Sequence, residues 1–180
     1  MKLLREMIHP DLESRDGRVL RRHAARGIVQ KNEQILLLFT EHYNDFSFPG
    51  GGVDPGEDLA MGLHRELEEE TGARDIRILE HLGFIEEFRP HWKPEYDLMH
   101  MTSHFFTCDT AAELADARME HYEVANGMRP VWVDVDEALK HNQSVMARQE
   151  KSMGQSIQRE TFMLELIARE RLPDRESTPA

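Results

Sequence analysis

GGVDPGEDLAMGLHRELEEETGA, residues 51–73, opens on glycines, closes near another, and packs four glutamates and an arginine into the eight residues from Arg65 to Gly72. Ala60, Leu63 and Leu67 recur at helical spacing between Asp58 and Thr71, and Gly72 supplies a stop signal, so a helix is expected here. At about 100° per residue, Glu66, Glu69 and Glu70 fall within roughly a third of the helix circumference, on the border of the apolar face. Glu68 points elsewhere. For an isolated helix this is poor electrostatics. Carboxylates near a C-terminus oppose the macrodipole, and like charges at i,i+4, as in Glu66 and Glu70, add to the penalty. Arg65 can reach Glu69 one turn later but cannot neutralise three acids. A cluster of hard oxygens that stays ionised at neutral pH is what Mg2+ or Mn2+ binding requires. A cation there reverses the local sign and attracts phosphate oxygens.

The preceding FPGGGVDPGE has no side chains at residues 50–52, so its backbone can approach a metal or a phosphate closely. Folded back beside the end of the helix, this loop would bring a carbonyl near Glu69 and Glu70.

Outward from this segment, HAARGIVQKNEQILLLFT from His23 reads as a hairpin turning at Lys31, Asn32 and Glu33. The first 20 residues read as a short helix and a loop. IRILEHLGFIEEF and LMHMTSHFFTCD are long strand candidates separated by RPHWKPEYD. A polar segment covers residues 109–127, RPVWVDV is a further strand and DEALKHN a short helix. SIQRETFMLELIARE reads as an amphipathic C-terminal helix, with Phe162, Leu166 and Ile167 forming a core or dimer face. The economical architecture is one α/β domain over residues 1–172, a mixed sheet covered by helices, with residues 173–180 as a mobile tail.

Composition narrows the function. The 180-residue chain carries a formal charge of −12, which argues against an extended nucleic-acid surface, since that needs a basic footprint. Small phosphorylated ligands stay open if divalent cations stand between the two sets of negative charge. No apolar run is long enough to span a membrane. The N-terminal segment lacks a signal core, and the single cysteine, Cys108, cannot form an internal disulfide, so a reducing cytoplasm is expected. Lying in SHFFTCD, Cys108 reads as a buried structural thiol.

Residues 51–73 resemble the signature box of the Nudix (MutT-like) hydrolases. That box is a glycine, five residues, a glutamate, seven residues, then Arg-Glu-aliphatic-any-Glu-Glu-any-Gly-aliphatic. Gly51, Glu57, Arg65, Glu66, Glu69, Glu70 and Gly72 fill its seven fixed places, Leu67 is the aliphatic, and only the closing Ala73 is smaller than usual. With each residue type near about 7% of an average composition, such a match arises by chance about once in a million sequences, or roughly tenfold more often in a glutamate-rich chain. The resemblance implies a Nudix-type α/β/α sandwich with a mixed sheet, and hydrolysis of a nucleoside diphosphate linked to another moiety with Mg2+ or Mn2+. It implies metal ligation by Glu66, Glu69, Glu70 and the Gly50 carbonyl, with Gly51, Glu57, Arg65 and Gly72 structural. The general base varies across the family. Glu123 ranks first as an added catalytic group, ahead of Glu120, Glu86 and Glu87, and strand alternation sends the last two to opposite faces.

Tyr43, Phe46 and Trp92 are the candidate stacking partners for a nucleobase. His100 and His104 share a strand face but lack a third zinc ligand. The substrate stays open among ADP-ribose, dinucleoside polyphosphates and nucleoside triphosphates, and a homodimer is compatible. The alternative class is a catalytically inactive Nudix-like nucleotide-binding or regulatory module, which would be expected to lack some of the box glutamates.

Overall fold

A computed structural model describes residues 1–170 of the chain. The elements run β1 (Leu3–Ile8), β2 (Val19–Lys31), β3 (Gln34–Thr40), β4 (Asp45–Ser47), β5 (Gly50–Gly52), α1 (Leu59–Thr71), β6 (Arg77–Pro90), β7 (Leu98–Asp109), α2 (His121–Ala125), β8 (Met128–Asp134), α3 (Val135–Arg148) and α4 (Ile157–Glu170). Residues 171–180, which include the whole of the expected tail at 173–180, lie outside the described residues.

The strands form one mixed sheet in the order β1-β6-β7-β2-β3-β4, with β5 added to β2 and β8 to β3. Strand β2 is the pivot. It runs parallel to β7 from Val19 to Val29, pairs with β5 through Ala24–Arg26, and turns into β3 at Gln30 and Lys31. The hairpin turn is Asn32–Glu33, both at positive φ, the geometry of a two-residue turn that follows the strands' own twist.

Neighbouring residues on each strand divide between two cores, as a period of two requires. Val29, Leu36 and Phe106 pack with Leu63 and Leu67 of α1. Ile28, Leu37 and Phe105 pack with Val135 and Ala138 of α3 and with Met163, Leu164 and Ile167 of α4. Helices therefore cover both faces, the expected α/β/α sandwich. Cys108 is buried in the first core; Phe162 and Leu166 pack against the second.

The N-terminal segment departs from expectation. LLREMI is a strand, not a helix: β1 runs parallel to β6, from Leu3 beside Phe84 to Ile8 beside Phe88. Its local sequence suits a helix, but Leu4 and Met7 gain core contacts and the backbone gains the edge of β6, so tertiary pairing overrides propensity. The polar 109–127 segment holds the one-turn helix α2, and DEALKHN is the first half of the longer α3.

Candidate active site

Helix α1 starts where Asp58 accepts the Met61 amide at 2.8 Å, a side-chain N-cap. It ends at Gly72, whose φ of 71° is left-handed and whose amide bonds Glu68 O at 3.0 Å. Leu63 and Leu67 are fully buried against the sheet, which fixes the helix rotation. Glu66 and Glu70 consequently face the glycine loop, Glu69 lies more exposed beside Arg65, and Glu68 is exposed and pairs with Arg118 at 3.2 Å.

The loop folds back as expected. Gly50 has a φ of 130°, and a Cβ there would sit 2.1 Å from Ala25 O, so only glycine fits. Its amide donates to Glu70 Oε2 at 2.6 Å. A Cβ on Gly51 would lie 2.7 Å from the Glu66 carboxylate, so the lack of a side chain at Gly51 is what lets Glu66 lie against the loop.

Arg65 organises the outer side. It donates to Glu57 through Nε at 2.8 Å and Nη2 at 3.1 Å, to Gly52 O at 3.1 Å, to Glu66 at 2.8 Å and to Glu69 at 3.5 Å. Hydrogen bonding to that guanidinium holds Glu57 down at about 2, so Glu57 stays ionised and ties loop to helix.

The acids disturb one another. Glu70 is only 5% exposed, and burial pushes its carboxyl well above the ordinary range; Glu66 and Glu123 push the same way, against the Gly50 amide and Arg26. Glu66 is raised by burial, opposed by Arg65, with Glu123 and Glu69 adding to the rise. Buried Glu123, on α2, thus belongs to the same cluster as Glu66 and Glu70. Its oxygens accept the Glu120 amide at 2.8 Å and the Tyr122 hydroxyl at 3.2 Å.

The cluster is not a finished cage. Among the described residues, no group of three or more His, Cys, Asp or Glu side chains is arranged to hold a metal ion. Arg65 draws Glu66 and Glu69 toward itself, and Gly50 holds one oxygen of Glu70. The Gly50 carbonyl expected as a ligand accepts Arg26 Nη1 at 2.8 Å. The donor set nonetheless suits a hard dication: several carboxylates lie close enough to penalise one another's charge, and a dication relieves that penalty.

Other candidates lie differently. Phe46 is partly buried, its ring 5.0 Å from Phe39 and 5.1 Å from His141. Tyr43 packs edge-on against His42. Trp92 is 84% exposed beside His91 and Lys93. Its neighbours Lys93 and Tyr96, with Arg22, His23, Val53 and Leu59, line a cavity of about 880 Å³ flanking the glycine loop. Glu86 and Glu87 do face opposite sides: Glu86 bonds His100 at 3.2 Å, and Glu87 bonds Arg159 at 2.6 Å. His104 stacks on His23 and packs at a tilt against His81.

A family model for the NUDIX domain matches residues 21–153. The chain belongs to the NUDIX family. An RNA pyrophosphohydrolase of Pectobacterium carotovorum subsp. carotovorum (strain PC1) is 42% identical over 57 residues, 29% of this chain and 32% of that protein. The chain thus spans about a third of the length of such curated relatives. Among solved structures, a NUDIX hydrolase from Nitrosomonas europaea superposes with a TM-score of 0.56 at 16% identity, over 89% of this chain and 98% of that one. The E. coli ORF135 protein gives 0.53 at 19%, over 86% and 95%. At these identities the structures share the NUDIX fold, and the likeness reaches no further.

Three residues of the interior escaped sequence reasoning, Arg26, Arg159 and Glu160, and Glu87, considered as a base, pairs with Arg159 instead. Glu160 is fully buried and accepts the Phe48 amide at 3.1 Å. Arg26 donates to Phe48 O at 3.2 Å as well as to Gly50 O. Their signal was a charge at a core position, since Arg26 shares the strand face of Ile28, and Glu160 precedes Leu164 and Ile167 by one and two helical turns.

Proposed function

We propose that the chain is a divalent-metal-dependent pyrophosphohydrolase acting on a nucleoside diphosphate linked to another moiety. The observation that carries this reading is the meeting of two segments: Glu70 bonded to the Gly50 amide, and Glu66 laid against the bare face of Gly51, with Glu123 added from α2. The family membership and the pyrophosphohydrolase names of relatives agree with it.

In this reading Glu66, Glu69 and Glu70 hold Mg2+ or Mn2+, Glu66 and Glu69 doing so by rotating from Arg65. When bound, the metal neutralises diphosphate charge and acidifies a water. The rest falls to the protein. Glu57 and Arg65 keep the loop registered on α1. Glu70, buried and anchored by Gly50, holds its carboxylate without solvent screening. Glu123, close to Glu66 and Glu70, serves as the general base, with Tyr122 fixing one of its oxygens. Tyr43, Phe46 and Trp92 remain the proposed base-stacking set. The product of such a site is a pair of phosphorylated fragments released by in-line attack of water.

The test is turnover of a substrate panel (ADP-ribose, dinucleoside polyphosphates, NADH, nucleoside triphosphates and a short 5′-triphosphorylated RNA) with Mg2+ or Mn2+. Phosphorylated products that vanish on adding EDTA are expected. Binding of a panel member with no turnover of any would replace this reading with that of a regulatory binding module.

A further inference from the structure

Behind the glycine loop lies a charged interior that the carboxylate cluster leaves unused. Arg26 Nη1 is committed to the carbonyls of Phe48 and Gly50. Nε is buried and has no hydrogen-bond partner, and among the described residues no bond reaches Nη2. Nε and Nη2 make up one edge of the guanidinium, the fork that pairs side-on with two oxygens of a carboxylate or phosphate. Buried donors are nearly always partnered.

The acids around Arg26 are already engaged. Arg159 takes Glu160 Oε1 through Nε at 3.1 Å and Nη2 at 2.6 Å, and takes Glu87 through Nη1 at 2.6 Å. Glu160 Oε2 is held by the Phe48 amide. Glu70 is the remaining acid within electrostatic range of Arg26, and it is held by the amide of Gly50. If Glu70 gives its charge to a dication, as the reading above requires, the acids left near Arg26 are Glu160 and Glu87, both hydrogen-bonded to Arg159, and neither meets its Nε–Nη2 edge. An oxygen of the diphosphate would meet it.

We propose that Arg26 presents its Nε–Nη2 edge to a phosphate oxygen of the substrate, which makes it a direct substrate contact beside the metal-binding glutamates. This assignment rests on the pyrophosphohydrolase reading. It differs from a purely structural role for Arg26, in which the two loop carbonyls would be its whole purpose. Lysine separates the two, because it keeps the charge and can donate to the carbonyls but has no fork.

The experiment uses the full chain, wild type, Arg26→Lys and Arg26→Met. Mn2+ uptake is followed by electron paramagnetic resonance without nucleotide. Binding of α,β-methylene-ADP is then measured by calorimetry at saturating Mn2+. The expected result is unweakened Mn2+ uptake and an unchanged melting temperature for Arg26→Lys, with analogue affinity about tenfold lower, as for loss of a charge-assisted bond. Arg26→Met should lose more analogue affinity still; if it fails to fold, the lysine variant decides. Wild-type analogue affinity in Arg26→Lys would overturn the assignment, as would a parallel loss of Mn2+ uptake. Wild-type protein taking up neither Mn2+ nor analogue would instead sink the pyrophosphohydrolase reading, and this assignment with it.

Discussion

The amide of Gly50 points at Glu70 Oε2 from 2.6 Å, while the carbonyl of the same glycine is turned to Arg26. One residue thus sets the orientation of a buried acid with one polar group and of a buried base with the other. The expected metal ligand at Gly50 was its carbonyl, yet it is the amide that faces the acid. Glu70 is held by a backbone donor and not by a side chain.

Replacing Glu70 by glutamine keeps an acceptor for that amide and removes the charge. Because the folded carboxyl is raised above its unfolded value, the folded apo-protein binds the extra proton. Its contribution is therefore complete below the unfolded pKa and is lost as pH rises toward the folded one. Apo-protein in EDTA should become less stable from pH 5 to pH 8, Glu70→Gln should flatten that decline, and Mg2+ should restore wild type only. Turnover by Glu70→Gln and Glu69→Gln should fall by orders of magnitude. Thermal melts across pH with parallel rate measurements check both, and a variant as active as wild type would exclude its residue from the metal-binding set.

Gly50→Ala tests the loop itself. Its Cβ would collide with Ala25 O, and a left-handed φ there is disallowed for alanine, so the loop must move at a cost of about 1–3 kcal/mol or more. Activity should drop at least as far as in Glu70→Gln, together with a lower urea midpoint. Gly51→Ala should spare more stability and still reduce activity, because the atoms nearest its Cβ belong to the movable Glu66 carboxylate.

Glu57→Gln separates positioning from folding. Glu57 accepts from Arg65 and from the Asp54 amide near solvent, where an ion pair adds little to stability. Stability should hardly change. The half-saturating Mg2+ concentration should rise severalfold, since Arg65 no longer has its main partner and draws more strongly on Glu66 and Glu69. An unchanged Mg2+ dependence would count against the positioning role.

How far the sequence reached follows from what each residue's neighbours are. The box was legible because its chemistry sits in local spacing: Gly51, Glu66 and Glu70 are set by one loop and one helix. Strand β1 was not, because nothing within LLREMI says that β6, some eighty residues on, offers it an edge. Arg26 and Glu160 were passed over because a charge in an apolar pattern reads as solvated, although both stand on core faces. Their partners, Phe48 and Gly50, come from another part of the chain, and long-range pairing of that kind has no local signature.

Asp45 extends the same logic beyond the site. It is 3% exposed, and burial first, then the nearby Glu160, pushes its carboxyl up to about 6. As with Glu70, the folded state holds the proton more tightly, so the stabilisation is complete below pH 4 and is lost as pH rises through 6. Above pH 7 the fold carries a buried charge that asparagine would not, worth on the order of 2–3 kcal/mol. Asp45→Asn should therefore melt higher than wild type at pH 8 and no higher at pH 4. The comparison is best made in urea at both pH values with metal absent. Equal stability of the two proteins at pH 8 would mean that Asp45 finds a compensating partner once ionised.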